Sequence, residues 1–381
     1  MISVYYSLIF MAGGGFISYI SLYYSFINLD NSQIGLISAV MACTALVAQP
    51  LLGTISDKSE KKNGVLKTIL LLSALTTWLI PLAGKALWSI IAANIAFSFF
   101  HNAINPMSDT ITLELAGKYS FKFSRVRLAG SLGYAIMAAV AGWIFSYNIW
   151  YIFPVFFTLR ILAYVISFFI PAVRGYKYSE NQAGFLELFK DKKLVLFYSY
   201  AFILSSTFGF FSSFHAIYSK EVGISTALLG IGIMVGSFSQ FPFMLVFDRV
   251  YKKFGIANIL VFCGLAYGIR WFLYATSLNS ATIVPLWALH GLNYMVLYLC
   301  LTEYVGFSVP KELRTRGQMM NAIVLMGLSS VAGGYLGGII SAVTGLRLIF
   351  EACAVICFLA LIVFFIITRF YKDFRADAIK G

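Results

Sequence analysis

Charge is what this chain has least of. Only 11% of its 381 residues are Asp, Glu, Lys or Arg, and only 15 of these are acidic. A soluble domain carries about a quarter charged residues, so the shortage excludes a soluble globular protein, a disordered chain and a fibrous repeat. Cysteine is also scarce. Cys43, Cys263, Cys300, Cys353 and Cys357 all lie in apolar stretches and form no CxxC pair, so neither a disulfide framework nor a metal site is expected. There is no phosphate-binding glycine loop and no nucleophile–histidine–acid pattern, so no enzyme and no cofactor is expected. No basic n-region precedes the apolar run from Ile2, which is also too long for a signal-peptide core.

What is abundant is apolar sequence: 60% hydrophobic residues and a mean hydropathy of +0.85. The runs are too long for the short alternating strands of an outer-membrane barrel. A spanning helix needs about 20 apolar residues. Twelve such segments can be marked, at about 2–27, 33–52, 65–84, 87–116, 125–147, 150–171, 194–219, 225–247, 256–277, 281–309, 318–342 and 346–370. The prediction is an all-α membrane protein with twelve transmembrane helices.

The net charge of +13 comes from 28 Lys and Arg. With the N-terminus inside, 23 of them fall on one side and three (Lys85, Lys220, Arg347) on the other. This positive-inside bias predicts cytoplasmic termini and an inner (plasma) membrane location. The basic excess therefore marks topology, and no nucleic-acid partner is expected.

The longest inside loop, 172–193, separates residues 1–171 from 194–381, six segments from six. Its end, Gly184–Lys193, reads as a short interfacial amphipathic helix. Landmarks recur between the halves. Asp57-Lys58 and Asp248-Arg249 follow the second segment of each half at an offset of 191, each after a proline (Pro50, Pro242). Glu114, Arg125 and Arg127 recur as Glu303, Arg314 and Arg316 at an offset of 189. Two pseudo-symmetric six-helix bundles are the architecture of major-facilitator transporters. In that architecture Asp57, Lys58, Asp248 and Arg249 are gating-loop residues.

Ionisable groups inside the segments are costly and point to function by default. In the fourth segment His101, Asn105 and Asp109 stand four apart on one helix face. That stripe either faces a cavity or joins helices, and Pro106 within it should free a carbonyl. Asp109 and Arg127 are expected to pair across the following turn, unless Arg127 instead meets lipid phosphates. In the tenth segment His290, Asn293 and Tyr294 share a face; His290 by itself could equally be a core histidine. Arg270 in the ninth segment cannot be deprotonated and needs an acceptor, with Glu303 or Asn293 as candidates. Glycines cluster in the first, fifth and eleventh segments, where small residues let helices approach.

The loop GTISDKSEKK (Gly53–Lys62) resembles the signature loop of the major facilitator superfamily. The run Asp109…Arg125-Val-Arg127-Leu-Ala-Gly130-Ser131-Leu-Gly133-Tyr134 resembles the fourth-to-fifth helix hairpin of the lactose permease and phenylpropionate permease branch. The resemblance implies that Asp109 and Arg127 bind substrate and that Tyr134 stacks on a ring. Arg270 and His290 keep the branch's spacing of 20. Where the branch has a proton-carrying carboxylate three residues after the histidine, this chain has Asn293.

The resulting expectation is a monomeric secondary transporter taking up a small polar, ring-containing solute, a saccharide or nucleoside, by alternating access and with protons. Asp109, Arg127, Tyr134, His101, Asn105 and Asn293 are its candidate substrate ligands; Arg270, His290, Glu303 and Glu114 its candidate coupling groups. An exporter of amphipathic compounds and a non-transporting membrane sensor are the alternatives.

Overall fold

In the computed structural model, residues 1–174, 185–277, 279–310 and 313–370 are described, the side chains of 185–187 and 315 excepted. Part of the 172–193 linker, Lys311 and the tail beyond Phe370 thus lie outside the described residues. Every regular element among the described residues is helical.

The first six helices are α1 (Ile2–Phe26), α2 (Asn31–Lys58), α3 (Lys62–Leu82), α4 (Leu87–Tyr119), α5 (Phe123–Tyr147) and α6 (Ile149–Ser167). Then come α7 (Lys192–Glu221) and the stretch Thr226–Thr276, followed by α10 (Ser280–Ser308), α11 (Arg316–Thr344) and α12 (Leu346–Phe370). The Thr226–Thr276 stretch has 51 residues, about 77 Å of helix at 1.5 Å per residue, against a hydrocarbon core of about 30 Å. It breaks at Gly255, where φ is 71° and ψ 160°. That conformation is open essentially to glycine alone. The break yields α8 (226–254) and α9 (256–276), and with them twelve crossings among the described residues. The chain is a multi-pass membrane protein.

Local chemistry sets several of these ends. Asp30 and Gln33 form a capping box at the start of α2, with Gln33 N–H donating to Asp30 Oδ1 at 2.9 Å and Asp30 N–H to Gln33 Oε1 at 3.1 Å. Ser120, in the left-handed region at φ 54°, ends α4. Phe185–Lys190 is a 3-10 turn, not an α-helix, and Asp191 caps α7 by accepting from Lys193 and Leu194 N–H.

The chain divides into two compact units, Met1–Glu180 with Ile224–Met234, and Asn181–Gly223 with Val235–Gly381. In the first unit α1 packs along α5 and α6, and α4 lies against α2 and α3. The α1–α5 contact is glycine-mediated. A Cβ on Gly133 would come 2.8 Å from the Ser7 carbonyl oxygen, and one on Gly14 2.7 Å from that of Tyr134. The opening turns of α8 belong to this unit because Gly142 of α5 and Gly230 of α8 admit close backbone approach. In the second unit α9 packs on α12 and α10, and α7 on α11. Three stretches there, Gly291–Met295, Ile323–Leu328 and Ala332–Leu336, are widened π turns.

Candidate functional site

Adjacent tyrosines of α1 hold the middle of α4. Tyr5 Oη lies 2.7 Å from Ser108 Oγ, and Tyr6 Oη donates to Asp109 Oδ1 at 2.8 Å. Asp109 remains partly exposed. The expected Asp109–Arg127 ion pair does not form, since no ion pair of either residue exists among the described residues. Helix register explains this. Asp109 stands ten residues before the end of α4 and Arg127 four residues into α5, so at about 1.5 Å per residue they differ in depth by about 9 Å. The two helices also find their main packing partners elsewhere. The Arg127 guanidinium lies over the Phe10 ring at 4.3 Å, and its buried Nη1 has no hydrogen-bond partner among the described residues. Tyr134, one turn past Gly130, hydrogen-bonds Ser18 Oγ at 2.9 Å.

The polar stripe of α4 splits among different tasks. His101 Nδ1 is 3.0 Å from Arg160 Nη2, and its ring stacks on Phe97 at 4.9 Å. Because Arg160 cannot lose its proton, His101 Nδ1 is the acceptor. Asn105 is exposed. The carbonyl freed by Pro106 is that of Asn102, four residues earlier, and Gln49 Nε2 of α2 donates to it at 3.3 Å.

Glu114 is committed to another cluster. The buried Lys62 Nζ lies 2.7 Å from Glu114 Oε1 and 3.0 Å from Asp57 Oδ1. This ion cluster ties the ends of α2, α3 and α4 together, so Glu114 and Asp57, expected in separate coupling and gating roles, share one cation. Lys58 is exposed, as are Asp248 and Arg249. Sequence reasoning missed Lys62 and Tyr6. Lys62 sits in a run of loop charges that reads as solvated, and Tyr6 is one aromatic among many.

In the second unit Arg270 meets neither Glu303 nor Asn293. It stands six residues from the Thr276 end of α9, whereas Glu303 stands five residues from the Ser308 end of α10, the opposite end of the hairpin. Asn293 is wholly buried; in the orientation that satisfies both neighbours it donates to the Leu289 carbonyl at 2.5 Å and accepts from Tyr267 N–H at 3.2 Å. Both polar atoms of its amide are thus committed to backbone partners. The π turn accounts for it: widening rotates the third residue after His290 off the shared face, while Tyr294 stays stacked on His290 at 5.8 Å and 11°. Glu303 is partly exposed and forms no ion pair among the described residues. No group of three or more His, Cys, Asp or Glu with metal-binding geometry occurs among the described residues.

Twelve apolar crossings in two units, with a few polar side chains held at depth, define a membrane transporter of the major facilitator type. Residues 1–352 match the MFS_1 like family model, and the chain belongs to that family. It is 25% identical over 350 residues to the maltose permease of Geobacillus stearothermophilus, covering 87% of this chain and 86% of that protein. It is 24% identical over 303 residues to the lactose permease of Citrobacter freundii, covering 73% and 72%. The crystal structure of the nucleoside transporter NupG superposes with a TM-score of 0.84 at 16% identity, over 97% of this chain and 98% of that one. The protein is a transporter of small molecules, and these relatives are not enzymes.

Proposed function

We propose that this transporter takes up a small polar, ring-containing solute, a saccharide or nucleoside, by proton-coupled alternating access, as a monomer in the inner (plasma) membrane with both termini cytoplasmic. One observation carries the reading. The first unit presents a carboxylate and a guanidinium, Asp109 and Arg127, that stand about 9 Å apart in depth and form no ion pair with each other. A solute hydroxyl can donate to Asp109 while another accepts from Arg127, both as charge-assisted hydrogen bonds. Tyr134 supplies a ring for the solute's apolar face and Asn105 a further polar group. The names of the maltose and lactose permeases and of NupG support a saccharide or nucleoside. Asp109 and Glu303, membrane carboxylates without an ion-pair partner among the described residues, are the proton carriers of choice; Glu114, bound to Lys62, is not.

The test is uptake of radiolabelled maltose, lactose and uridine into proteoliposomes under an imposed pH gradient. Accumulation of one of them that collapses with a protonophore is expected. Asp109→Asn should abolish binding of that solute. Expulsion of a lipophilic cation with no accumulation of any of the three would replace this reading with that of an exporter.

A further inference from the structure

Arg270 is wholly buried, yet Nε, Nη1 and Nη2 all lack a hydrogen-bond partner among the described residues. A guanidinium keeps its charge at any accessible pH, and buried donors left unmet are expensive. Four rings surround the charge. The guanidinium carbon lies 4.5 Å from the centroid of Phe211, 5.0 Å from Trp271, 5.6 Å from Tyr274 and 5.9 Å from Trp287. Their faces attract the cation, but none of its N–H groups meets an oxygen or nitrogen acceptor in hydrogen-bond geometry among the described residues.

Other buried polar atoms around the same rings are also unmet: Tyr274 Oη, His290 Nδ1 and His215 Nε2. The His290 ring lies 6.3 Å from Trp287 and the His215 ring 5.3 Å from it, so the indole joins the group. Tyr274 Oη can donate, and so can His290 Nδ1 in the matching tautomer. His215 is different. Its Nδ1 faces the carbonyls of Phe211 at 3.1 Å and Ser212 at 3.2 Å and so carries the hydrogen, which leaves Nε2 a lone pair outside the donor set. No carboxylate answers Arg270 among the described residues. The cluster has one open edge, where His290, Phe208 and Tyr294 are partly exposed.

We propose that Arg270, Tyr274 and His290 form a binding site for one small monoanion, a carboxylate group or a halide, entered past His290. One fixed positive charge calls for a single negative charge. The planar fork of donors matches a carboxylate and also accommodates a halide, and the aromatic walls exclude a heavily hydrated dianion. This inference goes beyond the saccharide or nucleoside reading and stands whichever solute is carried.

The experiment is tryptophan fluorescence of the purified full-length protein in detergent, titrated with iodide at constant ionic strength set by sodium sulfate. Iodide bound beside Trp287 and Trp271 should add a saturable component to linear collisional quenching. Arg270→Gln should weaken that component at least about tenfold, the loss expected for a charge-assisted contact, and Arg270→Lys should retain part of it. His290→Ala, at the rim, should weaken it several-fold and serves if Arg270→Gln does not fold. Displacement of iodide by acetate in preference to chloride assigns the site to a carboxylate; the reverse order assigns it to a free halide. Linear quenching throughout, saturation unchanged in Arg270→Gln or His290→Ala, or saturation that neither anion displaces overturns the proposal and leaves the aromatic rings as the sole hold on Arg270. Failure of the sugar and uridine assays would leave this titration untouched.

Discussion

Removing Lys62 should expose how much of the first unit's stability rests on one buried cation. In Lys62→Met the Glu114 carboxylate loses a partner at 2.7 Å and Asp57 one at 3.0 Å. At an effective dielectric of about 20, a contact of that length is worth about 6 kcal/mol of gross attraction. Two terms reduce it. Burying the Lys62 side chain to 5% exposure costs several kcal/mol. Water also screens the acids, which stay 29% exposed at Glu114 and 44% at Asp57. The net coupling to Glu114 should therefore lie at about 1–2 kcal/mol, between an exposed pair and a fully buried one, and coupling to Asp57 should be smaller. The assay is a double-mutant cycle of Lys62→Met and Glu114→Gln, read by equilibrium unfolding in detergent. The single variants should each be destabilised, and the double variant should be more stable than their sum predicts. Additive effects within about 0.3 kcal/mol would refute the assignment of Glu114 to this cluster and return it to the pool of free membrane carboxylates.

Gly133→Ala should lower the thermal transition in detergent by an amount equivalent to about 1–3 kcal/mol, because its Cβ would meet the Ser7 backbone oxygen at 2.8 Å. Gly117→Ala, with nothing within 4 Å of its Cβ, should be neutral or stabilising in the same measurement. Gly255→Ala places a side chain at φ 71°, ψ 160° and should cost about 1–3 kcal/mol by unfolding; an unchanged transition would mean the α8–α9 joint is not held in that conformation. Tyr6→Phe removes the donor at 2.8 Å from Asp109 and should change solute affinity measurably while leaving the fold intact by size-exclusion chromatography. Equal affinity in wild type and Tyr6→Phe would separate Asp109 from solute binding.

Local composition and spacing were enough to determine the membrane class, the crossings and the family, because each depends on runs of about 20 residues or on residues close in the chain. Pro106 shows how far local reasoning reaches. Its missing N–H requires that the Asn102 carbonyl find another donor, but that the donor is Gln49 depends on how α2 packs against α4. The charged residues mark the limit. Asp109 and Arg127 look paired by number, and helix ends shift their depths apart. Arg270 and Glu303 look paired by scarcity, and opposite ends of one hairpin separate them. Lys62 reads as a loop charge and is buried between two acids, while a π turn moves Asn293 out of line with His290. Partner choice for a buried charge depends on register, turn length and helix packing together, and those distances exist only once the chain is folded.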